Sequence, residues 1–277
     1  RGVSIPEHHL VNILLIPSPL QFAVKVAAHT ESVEIATSVC QLPLRDMRVF
    51  AGEVIQAQTL CGGRLILGVG KGAFGYETER MGISFDSTKA KFEESLQVLE
   101  ALLSQQDVAW AGEYYHFEPL TVMPRPEEAI PIALAIMAPG GIEAMAAKGY
   151  HIQTTPLGAH HNVLMEQVNA FYGGKATAGP HCRSRLSLQR GPCLATHDAD
   201  TKDKVAHAHC DYQRFDNVFG GPGIVERGII KPLPRTQSME ELGQNVLICG
   251  SAEMVDRLSE YAELGIDEVI ASSNFGQ

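Results

Sequence analysis

The chain has 277 residues, enough for one large domain or two small ones with a substantial core. A net charge of -10, with only 19% charged residues, argues against nucleic acid as a partner, because phosphate neutralisation needs clustered Lys and Arg. No stretch approaches the roughly 18 uninterrupted apolar residues of a membrane span, so no membrane partner is expected either. The start, at Arg1 rather than Met, has no signal-peptide pattern. Cys40, Cys61, Cys182, Cys193, Cys210 and Cys249 lack C-x-x-C spacing and read as reduced, buried thiols of a cytoplasmic protein.

Residues 3–5 end a strand, and 19–30 predict a helix with Ser18 as N-cap and Pro19 at its first position. The β-branched run 34–41 predicts a strand, and 46–60 a helix with Asp46 in its first turn and Gly62-Gly63 ending it. Residues 65–69 are an apolar run without helical period, which suits a strand buried on both faces of a parallel sheet. From 74 to 85 there is no clean helical stripe, so helix is expected to resume only near Thr88. Over 88–104, Phe92, Leu96, Leu99 and Leu103 recur at helical spacing. Residues 108–117 predict a hairpin turning near Gly112. Strands over 132–137, 151–155 and 186–195 then alternate with helices over 141–148, 159–172 and 200–215. The Gly- and Pro-rich segment 219–247 is expected as a long loop, before a helix over 251–264 capped by Ser251 and a strand over 268–272.

Seven strands interleaved with seven helices predict a parallel α/β protein. A (β/α)8 TIM barrel fits better than an open sheet, and because the chain begins inside a strand, the barrel would lack its first βα unit. It would form a single domain over 1–277, with insertions at about 71–87, 107–131 and 219–247.

In such a barrel, ligand groups sit at strand C-termini. Glu7-His8-His9 places two imidazoles, the side chain suited to proton transfer near neutral pH, beside a carboxylate. Taken alone the tripeptide is equally consistent with satisfied structural histidines. Zinc is disfavoured, since no further ligand stands at the usual spacings. Gly70-Lys71-Gly72 lets the backbone turn tightly against a ligand while one cation remains. The same stretch matches G-x-G-x-x-G, but no acidic residue follows about 20 residues on and the helix it needs is doubtful. Ala138-Pro139-Gly140-Gly141 opens a helix, either as a phosphate seat or as a plain flexible turn. His207, His209 and Cys210 share a helix at spacings that point His207 and His209 apart. There is no G-x-S-x-G elbow and no P-loop.

In this order, several segments resemble the bacterial-luciferase-like family of flavin-dependent oxidoreductases. They are Pro6-Glu7-His8-His9, Ala36-Thr37-Ser38-Val39-Cys40-Gln41-Leu42-Pro43, Gly62-Gly63-Arg64 through Gly72, Phe92-Glu93-Glu94 and Gly112-Glu113-Tyr114-Tyr115-His116-Phe117. Leu264-Gly265-Ile266-Asp267 and Asn274-Phe275-Gly276 extend the resemblance almost to the end of the chain.

The resemblance implies a TIM barrel with FMN at the C-terminal face of the strands, and an end of the chain before the family's usual last helix. It places a cis non-proline peptide at Ser38-Val39 beneath the flavin ring, and Gly70 and Lys71 near the ring and its polar edge. Ala138, Pro139, Gly140 and Gly141 fall on the phosphate loop, without the Ser often found there. His8 matches the histidine that acts as acid or base near flavin C4a. His9 and Tyr76 are expected in the substrate pocket, and Arg45 stands where relatives commonly carry His. The activity implied is monooxygenation of a small organic substrate by O2 and reduced FMN, with a separate flavin reductase as supplier and a homodimer as the assembly. A deazaflavin-dependent hydride-transfer enzyme on the same barrel, or a non-catalytic flavin-binding homologue, remains the alternative.

Overall fold

The computed structural model describes residues 2–273 and divides into two compact units, Arg1–Ala133 with Val218–Ile229 and Leu134–Asn217 with Ile230–Gln277. In chain order the first unit holds β1 Gly2–Ile5, α1 Pro19–Ala27, β2 Glu34–Thr37, β3 Cys40–Gln41, α2 Met47–Leu60 and β4 Leu65–Gly70. It continues with α3 Gly75–Arg80, α4 Thr88–Ser104, and the hairpin β5 Val108–Ala111 and β6 His116–Leu120. β7 Ile132–Ala135 begins in this unit and ends in the next. The second unit adds α5 Pro139–Ala146, β8 His151–Thr154, α6 His161–Ala178, β9 Leu186–Arg190, β10 Cys193–Ala195 and α7 Asp198–Val218. β11 Val225–Glu226 belongs to the first unit and β12 Ile229–Ile230 begins there, before the second unit closes with α8 Met239–Asn245, β13 Leu247–Cys249, α9 Ser251–Glu263 and β14 Glu268–Ala271.

In the first unit β1 pairs β2, and β2 and β3 both pair β4, all parallel. All six residues of β4 are buried, which is why its sequence shows no alternation. Leu67 N–H donates to Pro131 O just ahead of β7. In the second unit Ile136 N–H donates to Gln153 O, and β9 lies between β8 and β14 in parallel register. The first unit's core gathers Ile5, Ile35, Leu65, Leu67, Met47, Phe50, Leu99 and Leu102. In the second, Val205, Ala208, Tyr212, Leu242, Val246 and Ile248 cluster under α7 and α8. Arg190, at the end of β9, donates to Leu157 O and to Asn245 O. Burial of such apolar side chains, about 1.5–3 kcal/mol each when complete, is the main force holding these layers.

Several expectations are corrected. The strand expected over 34–41 is two, interrupted at Ser38-Val39, whose peptide is cis. The strand expected over 186–195 also breaks, at the cis Gly191-Pro192, and β10 pairs β13 instead of continuing β9. A helix, α3, does form within the 74–85 stretch. Its Tyr76, Glu77 and Thr78 are buried, so a polar inward face hides the helical period. α1 stops at Ala27, and α6 runs on to Ala178. The segment 219–247 is not one loop: α8 sits in it, opened by a capping box of Ser238 and Glu241. The N-cap of α9 is Gly250, and Ser251 is its first helical residue. Cys210 is exposed rather than buried, and all six cysteines are free. The Asn274-Phe275-Gly276 motif lies outside the described residues. Among those residues no helix is long and apolar enough to cross a membrane.

Candidate active site

β1 delivers Pro6-Glu7-His8-His9 from a buried strand end, and Glu7 is itself buried. A carboxylate there must be paired. Glu7 Oε1 accepts from His9 Nε2 at 2.6 Å and from Arg45 Nη1 at 2.8 Å, while Oε2 accepts from Gln41 N–H at 2.9 Å. Burial pushes this carboxyl up, but the His9 bond, the Arg45 guanidinium and the Gln41 N–H together hold it below the ordinary carboxylate range.

A second buried carboxylate, Glu77, comes from the first turn of α3. Its Oε2 lies 3.1 Å from His8 Nδ1, and its Oε1 accepts the His9 backbone N–H. The His8 ring stacks on Phe74 with centroids 4.4 Å apart and planes at 20°. One side chain thus holds the ring in plane while the other fixes which nitrogen faces the carboxylate. With Nδ1 committed to Glu77, Nε2 is the ring nitrogen left for another partner. Sequence reasoning missed Glu77 because it stands 69 positions from His8. The one available signal was an acid just past the Gly70-Lys71-Gly72 turn.

At the end of β4 Gly70 is buried and Lys71 exposed, its Nζ 5.1 Å from the Phe85 ring centroid. Gly72 has φ 84°, and a Cβ there would come within 2.5 Å of Gln41 Oε1. That oxygen is buried and has no hydrogen-bond partner among the described residues, although Gln41 Nε2 donates to Glu7 O at 3.2 Å. An orphaned acceptor beneath a glycine cradle is what a ligand N–H would satisfy. The neighbouring Cys40 thiol is pushed up to about 12, chiefly by burial, and is inert. Tyr76 is buried under the Arg80 guanidinium, 3.6 Å from its ring centroid. Ser38-Val39 joins β2 to β3, immediately before Cys40-Gln41.

The second unit carries Ala138 as the extended N-cap of α5, with Pro139 in the first helical turn. Gly141 and Ile142 N–H both donate to Ala138 O, and the space where a Gly140 Cβ would stand is open. This start has the free edge and positive dipole end that suit an anion. Among the described residues no three His, Cys, Asp or Glu side chains converge as metal ligands.

The hairpin is fastened to the first unit by Glu94 of α4. This carboxylate accepts from Trp110 Nε1 at 3.0 Å and from the N–H groups of Glu113, Tyr114 and Tyr115 at 3.0–3.1 Å. A Cβ on Gly112 would fall on the Glu94 carboxylate, which explains the glycine at that turn. Tyr115 OH in turn donates to Arg45 O at 3.1 Å and lies 2.8 Å from Ser95 Oγ.

The family model of luciferase-like monooxygenase matches residues 1–268. The chain is 25% identical over 273 residues, 95% of its length and 76% of the relative's, to the oxygenase component of a flavin-dependent trigonelline monooxygenase of Acinetobacter baylyi. Over 128 residues, 45% of the chain and 38% of the relative, it is 37% identical to an F420-dependent glucose-6-phosphate dehydrogenase of Kineococcus radiotolerans. The oxygenating constituent of 3,6-diketocamphane monooxygenase from Pseudomonas putida, solved with FMN, matches with a TM-score of 0.75 at 16% identity, over 98% of this chain and 82% of that one. The chain belongs to the luciferase-like monooxygenase family, and its fold is that family's TIM barrel. It is an oxidoreductase whose relatives work with a flavin or a deazaflavin.

Proposed function

We propose that this chain is the oxygenase of a two-component system, taking FMN reduced by a separate flavin reductase and inserting an oxygen atom from O2 into a small organic substrate. The observation that carries the reading is the pair of buried carboxylates, Glu7 and Glu77, each holding one imidazole of His8-His9 at the end of β1. The orphaned Gln41 Oε1 under Gly72 adds an acceptor for a ring N–H. Gly70 and the Ser38-Val39 peptide would seat the ring from the ends of their strands. Lys71 would offset negative charge at its polar edge. The Ala138–Gly141 start of α5, considered within the second unit by itself, has the chemistry of an anion seat.

When bound, the reduced flavin supplies the electrons that activate O2. The protein's part is to bind, orient and manage protons. Phe74 fixes the His8 plane, Glu77 holds Nδ1, and Nε2 of His8 gives or takes the proton that the oxygenation moves. His9 and Tyr76 stand as candidate substrate contacts.

The test is an anaerobic titration of the purified chain with reduced FMN and, separately, reduced F420, followed by mixing with O2. Tight binding of FMN and fast oxygen consumption are expected, with His8→Asn binding normally but turning over about 10²–10⁴-fold more slowly. Wild-type turnover in His8→Asn with FMN bound would remove His8 from the chemistry. Binding of F420 alone would assign the chain to hydride transfer, the activity of the Kineococcus relative's class.

A further inference from the structure

Glu7 and Glu77 hold adjacent histidines, yet among the described residues only Glu7 has a guanidinium on it. Arg45 follows the short turn Leu42–Leu44 after β3 and is gripped on several sides. Its Nη1 donates to Gln41 O at 2.9 Å as well as to Glu7, and its guanidinium lies 5.0 Å from the Phe50 ring centroid. Its own carbonyl takes the Tyr115 hydroxyl, and Tyr115 N–H is bound by Glu94. The hairpin therefore holds the backbone at Arg45, while its guanidinium is held by Glu7, Gln41 O and the Phe50 ring.

We propose that Arg45 is a positioning residue for His9, acting through Glu7. Because the guanidinium already matches the Glu7 charge, His9 satisfies Glu7 Oε1 with a single Nε2–H and keeps Nδ1 as an acceptor. Nδ1 has no protein partner among the described residues, so it is the nitrogen offered to a substrate or cofactor donor. Relocating the countercharge would change that. Without Arg45 the buried carboxylate would draw a second proton onto His9 and convert Nδ1 from acceptor to donor.

The other titratable or charged groups around the pair are few. Glu77 meets His9 only at its backbone N–H, and His8 turns to Glu77. Cys40 on β3 is held as a thiol by burial, and Glu53 on α2 shares with Arg45 the wall of a cleft of about 400 Å³. None of these replaces the guanidinium on Glu7.

That His9 faces the reaction rests on the flavin reading above, so the experiment reads the imidazole itself, without cofactor. In the full chain labelled with 15N-histidine, long-range proton–nitrogen spectra identify the tautomer of His9, assigned by its loss in His9→Gln. The wild-type chain is expected to carry the ring proton on Nε2 at neutral pH. In Arg45→Gln the midpoint for the second proton should rise by about 1 pH unit or more, and Arg45→Lys should return it towards wild type. Tyr115→Phe, which keeps the cation, should leave the midpoint in place. A proton on Nδ1 in the wild type, or both nitrogens protonated at neutral pH, overturns the assignment without any variant at position 45. An unchanged midpoint in a folded Arg45→Gln overturns it as well. Failure of the wild type to bind reduced flavin would sink the flavin reading and leave the His9 result standing.

Discussion

Two carboxylates on consecutive helices of the first unit, Glu77 of α3 and Glu94 of α4, are satisfied by different kinds of partner. Glu94 takes an indole N–H and three backbone N–H groups, none of which titrates near neutral pH. Glu77 takes the ring of His8 and the backbone of His9. Glu94 is therefore a fastener, a fixed charge that shapes a turn. Glu77 holds a group whose proton can leave, and Glu7 does the same for His9 with Arg45 as a third party. The lesson is that a carboxylate's role is read from whether its donors titrate, not from its burial alone.

Breaking the two sites should give different losses. The largest effect is expected from Glu77→Gln, which keeps the shape but removes the charge facing His8. Oxygen-dependent turnover should fall about 10²–10⁴-fold while the denaturation midpoint changes little. If stability fell and turnover per folded molecule did not, Glu77 would be a fastener too. Next comes Glu94→Ala, which leaves the hairpin N–H groups without their acceptor. A loss of about 2–4 kcal/mol in urea unfolding is expected, with turnover retained at temperatures where the variant is folded.

The smallest effect is a pH limb. The folded Glu7 carboxyl lies below its ordinary value of 4.5, so its contribution to stability is complete above that pH and fades as pH falls through the lower, folded value. Glu7→Gln should flatten that acid limb in a series of unfolding curves. An unchanged limb would mean that the ion pair with Arg45 is lost before unfolding begins.

Much of the frame could be read from residues near one another in the chain. Of the α4 stripe of Phe92, Leu96, Leu99 and Leu103 the three leucines are buried as the spacing predicts and Phe92 is half-buried, and residues 108–117 do turn back as a hairpin. The Gly-Gly-Arg segment was legible as a motif but not as a device. Arg64 donates to Ala27 O, Thr30 Oγ1, Val33 O and Cys61 O, and so ties the ends of α1 and α2 to the start of β4. It works at the opposite end of β4 from Gly70 and Lys71, so one continuous motif serves stability at one end and the candidate site at the other. α3 was illegible for a different reason: its buried side includes Glu77 and Thr78, and periodicity registers apolar faces only.

By itself the sequence determined the alternation of strands and helices, the order of the strand ends and the family, because these follow from local period, turn residues and short motifs. It also marked His8 and His9 as the residues to watch. Only the tertiary structure decided what each of them holds. His8 meets Glu77 across 69 positions, and Gln41 meets Glu7 across 34. Such partners are set by which strand lies beside which and by where a short helix docks, and no local pattern encodes that. The physical reason is that hydrogen bonds and charges act over a few ångströms of space, whatever their separation along the chain.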